Sequence, residues 1–525
     1  MTTNQDLEAV FSYAQSQDII IDKKEFQFQV ETHPDYPSLL AFADAFSFFK
    51  IPNMAAKLFA DQLESLPNSF VALLGEDMKQ DYLAHVTKKN GLYQFTYEKQ
   101  TKKLNTIELK KYWQDIVFLA EKPEDFTNAT PKNNPIKTLV LSVFALLILG
   151  IIYWFSGALF SVLIGAISMV GIFLSIEALK TELGIESKVS KNMCNVVANA
   201  DCSTVINSNK ITWLKNFKIS DISIWFFSSQ LLSILLFSVY GAIENYFSLI
   251  LFVFVLAIPM TLYSIFFQYK IEKKWCPICL GIIVLVYVQL LLLAINNSAF
   301  LPSFNLKIVS LFVLGLSLVA FLVYMIKPLL LNIKNLKEEN IKNLRFKRNY
   351  SIFKNNLEKE EQQFFEHTNL VLGNSNSSLK ISIVTSPLCE YCKEAHEILH
   401  KILKNNHKNL SISVRFNYSD KFDENTQKLF FRLIEIHQEK GDFAFSDALQ
   451  NWFENKNINQ WLSKYGEPTN NEQIKTQLQA ISQENVSKSL NFTPNIFINQ
   501  YKFPNLYERN DLGYFINDLI EDEEL

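Results

Sequence analysis

Charged residues are absent from six long apolar stretches in the middle of the chain. The stretches are Thr138–Phe155, Ala158–Ile176, Ser223–Ile243, Tyr246–Tyr269, Trp275–Leu306 and Ile308–Ile326. A helix needs about 20 apolar residues to cross about 30 Å of hydrocarbon, and each stretch meets or nearly meets that length. Six such runs in one region exceed what a soluble core contains, so the pattern predicts a bundle of six transmembrane helices over residues 137–330.

The chain before this block has the pattern of a soluble domain. Residues 1–130 show helical periodicity first and strand patterns afterwards, which predicts an α+β domain. We expect helices at Asp6–Ser16, Ser38–Phe49 and Met54–Leu63. We expect strands at Phe70–Leu74, Tyr82–Thr87, Leu92–Tyr97 and Ile116–Ala120, with a hairpin turn at Asn90-Gly91.

The chain after the last span divides into a linker and a second soluble domain. Residues 331–375 are charged and helical in pattern and then rich in turn-forming residues, which indicates a connecting helix and a loop. Residues 376–525 give the order strand, helix, strand, long helical stretch, strand, helix. The predicted fold is therefore a multi-domain membrane protein, with an α+β domain before the helical bundle and an α/β domain after it.

The composition agrees with a membrane block between soluble domains. Hydrophobic residues make up 49% and charged residues 20% of the 525 residues, and the mean hydropathy is +0.06. This average is too apolar for a long soluble chain and too polar for a chain wholly inside a membrane. The net charge of -3 gives no electrostatic reason to bind nucleic acid.

All six cysteines fall into pairs, and the pairs carry the candidate chemistry. They are Cys194 and Cys202 in the loop after the second span, Cys276 and Cys279 at the start of the fifth, and Cys389 and Cys392 between a strand and a helix. At a helix start, the helix dipole and free backbone N–H groups stabilise a thiolate. The first thiol of the last pair is therefore predicted to attack and leave readily in thiol–disulfide exchange.

Other roles remain open for two of these pairs. Cys276 and Cys279 could be small apolar core residues. Cys389 and Cys392 could form half of a zinc site that His396 and His400 complete. Zinc needs about four ligands, and no second cysteine pair accompanies this one in its domain, so we expect no metal.

The segment Thr493-Pro494 precedes an apolar strand in the last domain. Together with Cys389-Glu390-Tyr391-Cys392, it resembles the thioredoxin-fold proteins, in which a cis-proline loop faces the redox pair. The resemblance implies that Pro494 is cis and lies beside Cys389. The helical stretch between these motifs resembles the helical insertion of bacterial disulfide oxidoreductases.

The four membrane cysteines and Ser208 resemble the pattern of the vitamin K epoxide reductase family. That resemblance implies a four-helix core around a quinone, ubiquinone or menaquinone, with Cys279 next to the ring. It also implies that Cys202 and Cys276 form the disulfide that passes electrons, and that Cys194 meets the outside partner. Bacterial members are often fused to a thioredoxin-like domain, whereas the span 138–155 is an addition to the family pattern.

The quinone-contacting residues are predicted less directly. We take Ser208 and Cys279 as candidates from the family pattern. The nearby aromatic residues Tyr263, Trp275 and Tyr287 are further candidates, although each could equally be an ordinary aromatic residue of the membrane interface.

The motif His33-Pro34-Asp35-Tyr36-Pro37-Ser38-Leu39 resembles the papain-like leader-peptidase domain of bacteriocin-exporting transporters. The segment Asp81–Val86 resembles the strand that carries that family's catalytic histidine, here His85. The family chemistry needs a cysteine thiolate, and this chain has no cysteine before Cys194. We therefore expect an inactive peptidase-like domain that docks peptides or is a structural remnant.

Two functions follow as hypotheses. The first is a membrane thiol oxidoreductase that makes disulfides in client proteins or peptides and passes electrons to the quinone pool in the lipid. The alternative is a membrane receptor that captures leader peptides and has structural cysteines. Disulfide formation favours a bacterial inner-membrane protein with periplasmic cysteines. The loop lysines, among them Lys180 and Lys274, favour the opposite orientation, as does the absence of a signal-peptide pattern.

Overall fold

The computed structural model describes residues 3–75, 81–97, 100–124, 126–128, 135–185, 187–196, 200–208, 218–296, 305–469 and 472–525. The chain forms two compact units. One unit combines Met1–Thr130 with Asn340–Leu525, and the other is Pro131–Glu339.

The N-terminal domain contains four helices and an antiparallel sheet of six strands. Its helices are α1 (Thr3–Ser16), α2 (Lys23–Glu31), α3 (Leu39–Phe48) and α4 (Thr106–Lys110). Its strands are β1 (Asn53–Lys57), β2 (Ser69–Leu74), β3 (Tyr82–Lys89), β4 (Leu92–Tyr97), β5 (Gln100–Leu104) and β6 (Trp113–Ala120), in the sheet order β1-β6-β2-β3-β4-β5. Asn90 and Gly91 both have positive φ in the β3–β4 hairpin, as a tight two-residue turn requires.

The helix predicted over Met54–Leu63 is wrong. The chain there forms β1, whose Met54 pairs with Leu119 of β6, and then a short 3-10 turn at Leu63–Ser65. Pairing with a strand distant in sequence overrides the local helical pattern. Helix α2 was not predicted because its residues are mostly polar, and it begins where the Asp22 side chain accepts from the backbone N–H of Lys24.

The second unit contains a bundle of long apolar helices. The helices are α5 (Pro135–Ser156), α6 (Leu159–Glu182), α7 (Lys188–Val196), α8 (Cys202–Ile206), α9 (Ile219–Tyr240), α10 (Ile243–Phe266), α11 (Pro277–Asn296) and α12 (Leu306–Lys347). Six of them in the described part of the chain are long and apolar enough to cross a membrane, which confirms the predicted bundle. The short helices α7 and α8 carry the loop cysteines. The end of the predicted fifth span, 297–304, lies outside the described residues.

Close packing and buried polar groups hold the bundle together. A Cβ added to Gly171 of α6 would lie 2.3 Å from the Phe227 ring of α9, so only glycine fits there. In the same interface, the Ser168 hydroxyl lies 2.7 Å from the Gln230 side-chain oxygen, and Gln289 of α11 donates to Ser168 at 3.2 Å. Small residues and interhelical hydrogen bonds are the usual means of helix association in lipid.

The C-terminal domain has a thioredoxin fold. Its helices are α13 (Tyr350–Leu357), α14 (Cys392–Asn406), α15 (Glu424–Lys440), α16 (Asp442–Asn455), α17 (Ile458–Tyr465), α18 (Glu472–Ser487) and α19 (Leu512–Glu521). Its strands are β7 (Val371–Gly373), β8 (Leu379–Thr385), β9 (Leu410–Phe416), β10 (Asn495–Ile498) and β11 (Tyr501–Lys502), in the order β11-β10-β8-β9-β7. Strands β8 and β9 are parallel and flank α14 in sequence, while the predicted long helical stretch consists of α15 to α18.

Two arginines near the end of α12 hold the first unit together. The Arg345 guanidinium stacks over the Tyr36 ring at 4.0 Å. Arg348 is buried, donates to Thr32 at 2.5 Å and stacks over Tyr514 at 3.6 Å. The N-terminal and C-terminal domains therefore share contacts through the same short segment of chain.

Candidate redox site

The pair Cys389 and Cys392 lies between β8 and α14, where the central strand of the last domain gives way to a helix. The Cys389 sulfur is partly exposed and lies 3.3 Å from the Thr493 carbonyl oxygen, while Cys392 is fully buried. The Thr493–Pro494 peptide bond is cis. The indole of Trp452 donates to the Pro387 carbonyl at 2.8 Å and so fixes the loop that leads into Cys389.

The surroundings of this pair shift the pKa values of its two thiols in opposite directions. Burial opposes ionisation of Cys389, but hydrogen bonds with Thr493 and Cys392 and the backbone N–H groups of Cys392 and Tyr391 outweigh it, so the pKa of Cys389 is lowered. Burial raises the pKa of Cys392, in spite of a hydrogen bond with Thr385. The exposed sulfur is therefore the better nucleophile and leaving group, and the buried sulfur keeps its proton more firmly.

A partly buried imidazole lies close to Cys392 and was not recognised as part of the redox site from the sequence. His396 Nε2 lies 2.9 Å from the Thr385 hydroxyl, which itself contacts Cys392. From the sequence, His396 and His400 were considered only as possible zinc ligands, and no metal was expected. Among the described residues, no group of three or more His, Cys, Asp or Glu side chains could hold a metal ion.

The loop cysteines of the membrane unit form a disulfide between α7 and α8. Cys194 and Cys202 are both buried and are joined across a sequence separation of 8. Just before Cys202, Ala200 pairs in parallel with Trp275, and the backbone N–H of Asp201 donates to the Trp275 carbonyl at 2.9 Å. This pairing runs the segment that enters Cys202 alongside the segment that enters Cys276.

An ion pair between Lys274 and Asp201 also joins the segment before Cys202 to the segment before Cys276. Lys274 Nζ lies 2.7 Å from the Asp201 carboxylate, and the carboxylate also accepts from the backbone N–H of Thr204 at the start of α8. Burial disfavours the charged carboxylate, but the hydrogen bonds from Lys274 and Thr204 outweigh it, so the pKa of Asp201 lies well below its usual range. Asp201 therefore caps the helix that carries Cys202 and ties it to the residue two before Cys276.

The thiols of Cys276 and Cys279 lie at the start of α11. Both are free and buried within one apolar cluster that also contains the loop disulfide. The backbone N–H of Cys276 donates to the Gln268 side-chain oxygen at 2.8 Å, and Gln268 lies in a π-helical turn at the end of α10. Gln268 was missed from the sequence because nothing in its local pattern distinguishes it.

The segments that carry these cysteines match two protein-family models. Residues 162–295 match the vitamin K epoxide reductase family, and residues 366–518 match a thioredoxin family. The chain contains a vitamin K epoxide reductase domain and a thioredoxin-like domain. It is a multi-pass membrane thiol oxidoreductase. Residues 1–130 lie outside both matches, and their resemblance to leader peptidases stays a prediction.

Several solved structures are similar to a part of this chain. BdbD from Bacillus subtilis is 16% identical, covers 31% of this chain and 98% of its own, and superposes with a TM-score of 0.26. ScsC from Proteus mirabilis is 15% identical, covers 38% of this chain and 96% of its own, with a TM-score of 0.26. A periplasmic thioredoxin-like protein from Salmonella enterica serovar Typhimurium is 15% identical over 29% of this chain and 90% of its own, with a TM-score of 0.25. No curated protein matches the chain.

The quinone-contacting candidates of the vitamin K epoxide reductase domain occupy different surroundings. Ser208 donates to Glu272 at 2.6 Å, and the Trp275 backbone pairs with the loop that leads to Cys202. Tyr263 is about one-third exposed on α10, and the Tyr287 hydroxyl lies 3.0 Å from that of Thr261. Ser208 and Trp275 thus adjoin the cysteine segments, whereas the Tyr287 hydroxyl has a partner on a neighbouring helix.

His85 of the N-terminal domain has hydroxyl partners. Its Nδ1 lies 2.8 Å from the Ser12 hydroxyl and its Nε2 lies 2.9 Å from the Ser69 hydroxyl. Ser12 lies inside α1, where backbone N–H groups donate within the helix and cannot hold an oxyanion. Burial lowers the pKa of His85, so its imidazole is neutral near neutral pH. The sequence indicated the histidine but not these partners, which come from helix α1 and from the neighbouring strand β2.

Proposed function

We propose that this oxidoreductase makes disulfide bonds in client proteins or peptides and passes the electrons through its three cysteine pairs to a membrane quinone. The observation that carries the proposal is the parallel pairing of Ala200 with Trp275. It runs the loop disulfide beside the buried dithiol, and the two pairs share one apolar cluster. Structural cysteines would not need a second cysteine pair of this kind in the same cluster.

The proposed relay begins at the thioredoxin-like domain. A client thiolate attacks the sulfur of Cys389 in a Cys389–Cys392 disulfide, and Cys392 leaves as a thiolate. The second client thiol then displaces Cys389, so that the client gains a disulfide and the domain gains two electrons and two protons. The lowered pKa of Cys389 makes its sulfur the better leaving group in the second displacement.

The relay continues by two further exchanges. The reduced Cys389 attacks Cys194 of the loop disulfide, and Cys392 resolves the mixed disulfide. The loop dithiol then reduces a Cys276–Cys279 disulfide through a bond between Cys202 and Cys276, which leaves Cys279 as the last thiol. Each step exchanges one disulfide for another and therefore balances in electrons and protons.

The residues around Cys279 fit a quinone. Cys279 is buried at the membrane-spanning start of α11, and its cluster includes Leu174, Phe254 and Ile282. A lipid-soluble ring matches such apolar surroundings, and a quinone, when bound, would accept two electrons and two protons. Ser208, Tyr263 and Trp275 are the proposed polar and aromatic contacts.

We place the redox cysteines on the periplasmic side of a bacterial inner membrane. An oxidising compartment is where newly made disulfides persist. The N-terminal domain is proposed to dock client peptides without cleaving them, because His85 contacts hydroxyl groups and the chain has no cysteine before Cys194.

The test is a coupled assay with the purified full-length protein. A reduced dithiol peptide and either ubiquinone or menaquinone are supplied, and both peptide oxidation and quinone reduction are measured. We expect one quinone reduced for each disulfide formed. A protein that binds peptides but reduces neither quinone would support the receptor alternative and overturn the oxidase.

A further inference from the structure

A hydroxyl group and an imidazole are linked by hydrogen bonds to the buried sulfur of the thioredoxin-like pair. Thr385 ends β8, is fully buried and hydrogen bonds with the Cys392 thiol. His396 Nε2 lies 2.9 Å from the Thr385 hydroxyl. His396 is one helical turn after Cys392 in α14, so both side chains lie on the same face of that helix.

Cys392 has to exchange a proton with its surroundings in every catalytic cycle. It must lose a proton to resolve a mixed disulfide on Cys389, and it must regain one when it leaves as a thiolate. Its side chain is fully buried, so water does not reach the sulfur directly. A buried acid or base within hydrogen-bond reach is the usual solution for such a group.

A small cavity beside His396 is lined in part by polar side chains. The cavity has a volume of about 20 Å³ and is lined by His396, Lys393, Glu397 and His400. A space of roughly 10–15 Å³ suffices for one water molecule when polar partners surround it. The buried Nδ1 of His400 has no hydrogen-bond partner among the described residues, so it could accept from such a molecule.

We propose that Thr385 and His396 form a proton relay that carries the Cys392 proton to and from this cavity. The relay rests on the proposed function, since it serves the thiol–disulfide exchange of the Cys389–Cys392 pair. His396 acts through Thr385 and is a positioning residue, while Thr385 contacts the reacting thiol.

The relay acts first when Cys392 resolves a mixed disulfide between Cys389 and a partner sulfur. Cys392 gives its proton to the Thr385 oxygen while Thr385 gives its own proton to His396 Nε2. The Cys392 sulfur forms a bond with the Cys389 sulfur, and the bond from Cys389 to the partner sulfur breaks. The partner leaves as a thiolate with the electron pair of that bond. The reverse path returns a proton to Cys392 when a client attacks Cys389.

The pKa of His396 and the titratable groups near it are compatible with a residue that accepts a proton and then releases it. Burial lowers the pKa of His396 to about 4, so the imidazole stays neutral and releases a proton soon after accepting it. The titratable cavity-lining groups on its own helix are Lys393, Glu397 and His400. The cavity-lining residues from α16 include Ser446 and Gln450 but no charged side chain, and those from β7 and β9 are apolar.

The experiment isolates the Cys392 step in the full-length chain. Cys194→Ser, Cys202→Ser, Cys276→Ser and Cys279→Ser are combined so that only the thioredoxin-like pair remains. One equivalent of an aromatic disulfide reagent is added to the reduced protein, and release of the coloured thiolate is followed. Attack by Cys389 gives a first phase, and its displacement by Cys392 gives a second phase.

With the relay in place, we expect the second-phase rate to change little between about pH 6 and about pH 8. Thr385→Val and His396→Leu should make that rate fall about tenfold for each unit of decreasing pH, because hydroxide must then remove the proton. His396→Asn offers Thr385 a polar partner but no base, and should behave like His396→Leu. Thr385→Ser retains the hydroxyl and should behave like the parent.

The first phase serves as the control, since it reports Cys389 in an intact domain. If Thr385→Val and His396→Leu keep the parent's pH profile, or slow the second phase equally at every pH, the relay is overturned. Should these variants lose the first phase through misfolding, the parent's second phase must still slow in D₂O, and its absence of an isotope effect would overturn the relay. No quinone or client enters the assay, so it remains informative even if quinone reduction fails.

Discussion

The backbone N–H of Cys279 donates a hydrogen bond to the sulfur of Cys276 at 3.2 Å. The two thiols are therefore held together by the first turn of α11 before any bond forms between them. The same amide would support negative charge on Cys276 when Cys194 attacks Cys202 and displaces Cys276 from the mixed disulfide. Cys276 and Cys279 consequently differ in role, since the Cys276 sulfur has a backbone donor and the residue before it pairs with the loop that enters Cys202.

Cys279→Ala should abolish quinone reduction while leaving the membrane fold intact. The proposed relay makes this thiol the last one before the quinone, and alanine is a small side chain that fills much of the same space. Quinone reduction by the purified variant with excess quinone is the measurement, and thermal unfolding beside the parent checks the fold. Turnover at the parent rate would refute the assignment of Cys279.

Cys202→Ser should stop transfer from the loop to Cys276, because the proposed passing disulfide joins these two residues. Cys389→Ser should still transfer electrons to quinone from a small dithiol that reduces the loop disulfide directly. Both variants are assayed with the same small donor, and the parent sets the reference rate. Equal failure of both would show that the relay is not linear.

Asp201→Asn should destabilise the loop and slow transfer to Cys276, because it removes the charge that pairs with Lys274 at 2.7 Å. Loss of the helix cap in Asp201→Ala should cost about 1 kcal/mol. Lys274→Met is the matched variant for the charge pair alone, and should slow the same exchange less than Asp201→Ala. The measurement is the rate at which the loop dithiol reduces a preformed Cys276–Cys279 disulfide. An unchanged rate in all three variants would show that the Asp201–Lys274 ion pair does not affect this exchange.

The same carboxylate predicts a pH dependence. The folded-state pKa of Asp201 lies below its unfolded value, so its charged form contributes stability above about pH 4, the ordinary range of an aspartate. That contribution is lost as the pH falls through the folded-state pKa. Unfolding of the parent should thus become easier in acid by more than that of Asp201→Asn. Parallel stability curves for the two proteins would contradict the prediction.

Deleting residues 1–125 should slow oxidation of client peptides but not of small dithiols. Tethering a client by even about 1.4 kcal/mol raises its occupancy about tenfold, and a small dithiol gains nothing from such a groove. Neither the full-length protein nor His85→Ala should cleave a leader peptide, and His85→Ala should oxidise clients as the parent does. If the deletion leaves both oxidation rates unchanged, the domain is a structural remnant.

The sequence was most informative where one physical property acts along an uninterrupted segment. Absence of charge over a helix length predicted the spans, and the cysteine spacings predicted the chemistry. Contacts between distant segments could not be predicted in this way. The pairing of Ala200 with Trp275 and the contact of Thr385 with His396 depend on how helices and strands meet, and β1 was mistaken for a helix because its partner β6 lies far along the chain.

The contacts of Arg348 with Thr32 and Tyr514 have a consequence for membrane topology. Residues that touch must lie on the same side of a bilayer, so the chain between Thr32 and Arg348 has to cross the membrane an even number of times. The six candidate spans satisfy this parity, and five would not. Helix α5, the addition to the family pattern, thus makes the number of crossings even and allows both soluble domains to share one compartment.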